Sequence, residues 1–316
     1  MLNKKDLKDL ISATRQHIAL QEAFIEKDYH VTRVIHALSN VENEYFRLVF
    51  AGGTCLAKGH KLVKRMSEDV DFKIQSKQTD KNFSNTRFFK ELKQFRSQIM
   101  SALEFLDLKI GETAARNNGK YSRIELHYPS SFSTQTILRP HILLEFTLSD
   151  IRLATENLFI KTLIENTLKI PALFEPTSTH CISIDETAIE KWVGLTRRVM
   201  AIERQYHYDD PTLVRHVYDL NAIKHADKIN DNFFKLAKTI INYDAQQFKT
   251  QHPEYSADPS FEIQKSLDTL KNKSSWKTRY QEFIETMVYD DISVQDYNNA
   301  IQTLEKISKT VIDALK

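Results

Sequence analysis

Residues 46–74 constrain this chain more than any other stretch. Positions 46–51, Phe-Arg-Leu-Val-Phe-Ala, are rich in aromatic and β-branched side chains and predict a buried strand. Gly52 and Gly53 follow at once, and a glycine pair permits a tight turn with close backbone approach. Beyond them Leu56, Leu62 and Val63 have helical spacing, so a helix is expected over 54–64 with its N-terminus opening on the turn. Free N–H groups at such a terminus attract phosphate. The chain then returns as a second strand over 70–74. Asp69 and Asp71 stand two residues apart at its entry, which puts both carboxylates on one face. Paired hard oxygens beside a phosphate cradle suit Mg²⁺-dependent chemistry on a nucleotide.

Each half of this pattern is ordinary alone. A Gly-Gly pair after a strand is a common turn, and an Asp-x-Asp at a strand start is commonly a solvated edge or a cap. The order strand, Gly52-Gly53-Thr54, helix, Asp69-Val70-Asp71 is far more specific, and it is a signature of nucleotidyl transfer. The sequence contains neither Gly-x-x-x-x-Gly-Lys-Ser/Thr nor Gly-x-Gly-x-x-Gly, which removes the two common phosphate-loop readings.

With 316 residues the chain is long enough for two domains, and 41% hydrophobic with 27% charged residues marks a globular class. No apolar run reaches membrane-spanning length, and the first ten residues lack a signal-peptide core. Two cysteines far apart, Cys55 and Cys181, fit a reducing cytoplasm without disulfides. The eleven histidines form no His-Glu-x-x-His, which argues against zinc. A net charge of +2 does not itself call for nucleic acid. However, Lys58, His60, Lys61, Lys64 and Arg65 run without an acidic residue, either as a solvated face or as cations for a triphosphate or polyanion.

Only six glycines and seven prolines punctuate the chain, which favours long helices. Helical spacing marks Leu7, Leu10 and Ile11, then Phe24 with Val31, Val34, Ile35 and Leu38, and another helix is expected over 87–106. Asn117-Asn118-Gly119-Lys120 predicts a hairpin turn, followed by an alternating strand over 121–128. The apolar run 142–148 is broken only by Glu145, and a carboxylate there either faces a polar cleft or points to solvent. Glu125 is its rival as a third metal carboxylate, on a strand that reads as half exposed. Pro171, Pro176 and a Ser/Thr cluster place the boundary between a first domain, 1–175, and an all-helical second domain, 176–316. In the latter, Asp185 is expected to cap a helix whose buried stripe is Ile189, Trp192, Val193, Thr196, Val199 and Met200. Pro211 suits the first turn of the next helix, and further helices are expected over 233–241, 261–270, 276–288 and 294–315. On spacing alone, Lys191 is a flanking surface lysine, and Arg215 with Asp219 an i, i+4 surface pair.

Several of these motifs together resemble the AbiEii/AbiGii family of nucleotidyltransferase-like toxins, over roughly residues 22–225. The resemblance rests on Ile25 to Arg33, on Gly52-Gly53-Thr54 with Ser67-Glu68-Asp69-Val70-Asp71, and on Arg139 to Phe146. Glu190-Lys191 and Arg215 to Leu220 complete it. It implies an α+β fold: a nucleotidyltransferase-like mixed sheet with flanking helices, then an all-helical C-terminal domain. It favours Glu145 over Glu125 as third carboxylate, and it turns Lys191 and Asp219 toward an active cleft.

The expected chemistry follows. An NTP donor lies on Gly52, Gly53 and Thr54 with Ser67, its phosphates met by Lys58 and Lys191. Asp69, Asp71 and Glu145 hold Mg²⁺. Asp219 binds base or sugar, orients Lys191, or assists deprotonation. The resemblance implies an RNA acceptor such as a tRNA 3′ end, growth arrest as outcome, and a cognate antitoxin as partner. Transfer to a small molecule or protein hydroxyl remains open, as does a catalytically silent nucleotide- or RNA-binding protein of the same fold.

Overall fold

The computed structural model describes residues 2–78, 84–132, 138–290 and 295–315. The chain divides into one unit of Met1–Lys61 with Met66–Ser183, and a second of Leu62–Arg65 with Ile184–Lys316. The division falls at 183/184 rather than 175/176, because residues 178–181 are a strand of the first unit's sheet.

The first unit begins with two helices, α1 (Lys4–Arg15) and α2 (Glu22–Leu38), before strand β1 (Phe46–Ala51), helix α3 (Gly52–Lys58) and strand β2 (Asp69–Ser76). Helix α4 (Asn85–Glu104) leads into the hairpin β3 (Lys109–Arg116) and β4 (Tyr121–His127), then β5 (Ile142–Leu148). Strand β6 (Glu156–Phe159), helix α5 (Leu163–Leu168) and strand β7 (Ser178–Cys181) complete it. The seven strands form one mixed sheet in the order β3-β4-β5-β2-β1-β7-β6.

Alternation along β2 and β5 separates two faces. Val70, Phe72, Ile74, Leu144 and Phe146 point into a core shared with Leu92, Phe95 and Ile99 of α4 and with Val31, Val34 and Ile35 of α2. Phe72 and Phe146 stack there with centroids 5.9 Å apart. The residues between them therefore carry the opposite face.

Helix α3 is shorter than its pattern implied. It stops at Lys58, Gly59 follows, and Lys61 adopts φ 56°, so Leu62 and Val63 lie outside the helix. The expected turn is present: Asn117 and Asn118 take positive φ, as does Gly119, and join β3 to β4. The short strands β6 and β7 and helix α5 were not legible in the sequence.

The second unit is helical. It contains α6 (Ile184–Glu203), α7 (Val214–His225), α8 (Asp231–Gln247), α9 (Pro253–Ala257), α10 (Pro259–Asn272), α11 (Ser274–Met287) and α12 (Tyr297–Leu315). Helix α6 already starts at Ile184, so Asp185 sits in its first turn and is not its N-cap. The stripe from Ile189 to Met200 is buried as its spacing demands. Pro211 opens a single 3₁₀ turn into α7. For the last expected helix, position 294 lies outside the described residues. No described helix is long and apolar enough to cross a membrane.

Candidate active site

The carboxylates gather on the face of the sheet away from the core. In the parallel pairing of β2 with β5, Asp71 lies beside Glu145 and Asp69 beside Leu143. In the antiparallel pairing with β1, Asp71 lies beside Ala51, the residue before the glycine pair. Asp69, Asp71 and Glu145 thus share one face at the end of β1 where the chain turns into α3.

Gly52 is required there on two counts. Its φ is +72°, a region L side chains rarely adopt, and a Cβ at this position would lie 1.9 Å from Asp71 Oδ2. Only a glycine lets the turn come this close to the carboxylate. Gly53 and Thr54 are buried in α3. The Thr54 hydroxyl lies 2.8 Å from Ser67 Oγ and also contacts the carbonyl of Asp69, which ties the turn to the start of β2.

All three carboxylates already have partners in the protein. The Arg139 guanidinium donates to Asp69 Oδ1 at 2.5 Å. The Tyr121 hydroxyl donates to Glu145 Oε1, and burial together with that carboxylate pushes the phenol pKa up. The three carboxylates share a face without forming a tight cluster. Among the described residues, the group of three whose ligand atoms all lie within 4.8 Å is instead Glu125, His127 and His141. Glu145 is half-buried, as is Glu125.

Most cations of the basic segment have partners within the protein. Lys58 is ion-paired with Asp28, His60 Nε2 lies 2.8 Å from the Ile182 carbonyl, and Lys64 pairs with Asp290 at 2.9 Å. Arg65 is buried against Asp219. Of the five cations, Lys61 and Lys64 are exposed, so the segment is not a continuous basic rim. An i, i+4 helix contact to Asp219 was expected from Arg215, whereas the charge that holds Asp219 comes from a distant loop.

Lys191 and Asp219 meet within the second unit. Lys191 Nζ lies 2.9 Å from Asp219 Oδ2, while Arg65 Nε and Nη2 donate to Oδ1 and Oδ2 at 2.6 and 2.7 Å. Asp219 is 0% exposed. Burial alone would raise its pKa, but the two cations outweigh burial and hold the carboxyl well below the usual range. The neighbouring His216 is kept neutral, mainly by burial and then by Lys191.

Sequence reasoning missed the supports of the carboxylates on the first unit's sheet. Lys27 on α2 is fully buried, and its ammonium donates to Glu68 at 2.8 Å and to the Arg139 carbonyl at 2.9 Å. Glu68 also accepts from the Arg139 N–H at 2.8 Å. One buried lysine therefore fixes the residue before Asp69 and the residue whose guanidinium holds Asp69. Asp28 accepts from both Lys58 and the Leu163 N–H. Polar residues on all sides of α2, where an amphipathic helix would carry only one polar face, were the available signal.

A mixed sheet carrying a Gly-Gly turn against an Asp-x-Asp strand, with a glutamate in register on the next strand, defines a nucleotidyltransferase-like protein. The family model described as nucleotidyl transferase AbiEii toxin of type IV toxin–antitoxin systems matches residues 37–304. The chain belongs to this family, a transferase class whose members take an NTP and are paired with an antitoxin. Over 100% of both chains it is also similar to MenT4, a nucleotidyltransferase toxin from Mycobacterium tuberculosis H37Rv, with 14% identity and a TM-score of 0.40. Among curated proteins none is significantly similar to this chain.

Proposed function

We propose that this toxin transfers a nucleoside monophosphate from an NTP to an RNA acceptor, a tRNA 3′ end, and so arrests growth. The observation that carries the reading is the close approach of Gly52 to Asp71, which sets a backbone turn against the paired carboxylates. The all-oxygen donor set of Asp69, Asp71 and Glu145 suits a hard cation. These residues would hold Mg²⁺, which supplies charge neutralisation of the triphosphate and acidifies an acceptor hydroxyl.

The chain's own groups divide the remaining work. Backbone N–H groups of Gly52, Gly53 and Thr54 receive phosphate oxygens, and the Thr54–Ser67 contact fixes that turn. Arg139 holds Asp69 until the donor site fills. Lys58 is given the role of keeping Asp28 and α5 in place rather than of binding phosphate directly, because its ammonium is already paired. A phosphate-binding role for Lys191 rests on the family resemblance. Of the three roles open to Asp219, orienting Lys191 is favoured, because the carboxylate is wholly buried and both its oxygens are engaged. Its cognate antitoxin and a bacterial cytoplasmic setting belong to the same reading.

Expression of the chain alone tests this. Growth should stop, and Asp71→Ala or Lys191→Ala should relieve the arrest at equal protein level. Arrest that persists in both variants would move the reading to a silent binding protein. Transfer in vitro without arrest would favour a small-molecule or protein hydroxyl as acceptor.

A further inference from the structure

Glu125, His127 and His141 bring two imidazoles and a carboxylate to one spot on the sheet. Glu125 and His127 are two residues apart on β4, so their side chains share a face. Across the antiparallel ladder Glu125 lies beside Leu143 and Leu126 beside Ile142, which carries His141 to the flank of His127. Because Glu145 pairs with Arg123 and Asp71 with Glu145, this is also the face of Asp71, a short way along the strands.

The three side chains approach one another closely. The two rings lie edge to face with centroids 5.5 Å apart, and His141 Nε2 is 3.9 Å from Glu125 Oε1. One ligand atom from each of the three lies within 4.8 Å of the other two. All three side chains are half-buried. Among the described residues, no hydrogen bond from elsewhere in the protein claims them. Gly111 on β3 leaves the necessary room, since a Cβ there would lie 2.6 Å from His127 Nε2. Half-buried polar groups that converge chiefly on one another are matched to a ligand that binds all three at once.

The geometry points to a second metal centre at Glu125, His127 and His141, separate from the Asp69, Asp71 and Glu145 carboxylates and selective for a divalent transition metal of the Zn²⁺ class. Two imidazoles with one carboxylate favour Zn²⁺ and its neighbours over Mg²⁺, and three protein ligands leave a position for water. Bonds of about 2.0–2.1 Å in a tetrahedron set ligand atoms roughly 3.3 Å apart. Closure by about 1.5 Å from the 4.8 Å limit is within side-chain rotation. The ligands sit on paired strands, so little backbone has to be ordered on binding. His141 lies two residues from Arg139, the partner of Asp69. A metal here would therefore fix the entry to β5 beside the donor site.

Chelator-stripped full-length protein, titrated with Zn²⁺ alone and with Co²⁺ alone, tests the proposal. One equivalent should bind to wild type and equally to Asp69→Asn/Asp71→Asn, with a raised Tm and the visible absorption of four-coordinate Co²⁺. His127→Gln/His141→Gln should lose binding, absorption and Tm rise together. Glu125→Gln, which leaves both rings in place, should weaken binding tenfold or more and keeps the test open should the double variant misfold. Loss in the aspartate variant with retention in Glu125→Gln would assign the metal to the other carboxylates and overturn the proposal. Absence of stoichiometric binding in wild type would overturn it equally.

Discussion

Gly52→Ala separates the donor-site account from a generic turn. The residue sits at φ +72°, and alanine in the left-handed region costs about 1–2 kcal/mol. The new Cβ would also lie 1.9 Å from Asp71 Oδ2, whereas ordinary contact begins at 3.4 Å. The carboxylate oxygen must therefore retreat by roughly 1.5 Å, which its side chain can do without unfolding the strand. A misplacement of about 1 Å in a reacting constellation lowers rate about 100-fold, equivalent to ~2.7 kcal/mol of barrier. Activity and stability should thus part company. Nucleotide transfer should fall about 100-fold, while Tm falls by only roughly 2–8 °C. Calorimetry and labelled-NTP transfer on one preparation read both. A variant with the strained turn but near wild-type transfer would refute the role given to Asp71.

Three further outcomes follow from the ion pairs. Asp219→Asn leaves buried Arg65 and Lys191 uncompensated and should destabilise the second unit by about 3–5 kcal/mol, read as a Tm fall of roughly 10–20 °C. Because the folded pKa of Asp219 is depressed, its stabilisation is present above the unfolded value near 3.9 and is lost as pH falls below it. Asp219→Asn should accordingly flatten stability against pH in that acid range, and an unchanged slope would contradict the pairing. Arg139→Ala frees an oxygen of Asp69, so the Mg²⁺ concentration for half-maximal transfer should drop several-fold. A rise would mean that Arg139 supports the site rather than competes for it.

Much of the first unit was legible because its signals are local. The strand over Phe46–Ala51, the shared face of Asp69 and Asp71, and the strand through Glu145 all follow from period-two alternation. Failures came where distant residues decide. The pattern over 54–64 looked helical, but Gly59 and the positive φ of Lys61 end α3 early, and Leu62–Arg65 packs with the second unit. Strand β7 has four residues and is held on β1 by a single parallel register pair, Phe50 with Cys181, which no local pattern announces. Arg65 looked like a phosphate-facing cation. Its partner Asp219 is 154 positions away, beyond any helical spacing argument. Helix α2 was legible as a helix, whereas its buried Lys27 and Asp28 gained meaning only from partners far along the chain, Glu68 and the Leu163 N–H.

We propose Asp69, Asp71 and Glu145 as the donor site of an RNA-directed nucleotidyl transfer. Its most direct measurement is incorporation of each α-labelled NTP into total cellular RNA by the purified chain with Mg²⁺, beside Asp69→Asn/Asp71→Asn at matched folding. Label should appear at RNA 3′ ends, dominated by the tRNA fraction, with wild type and be absent with the double variant. Equal labelling by both proteins, or no labelling from any of the four NTPs, would contradict it.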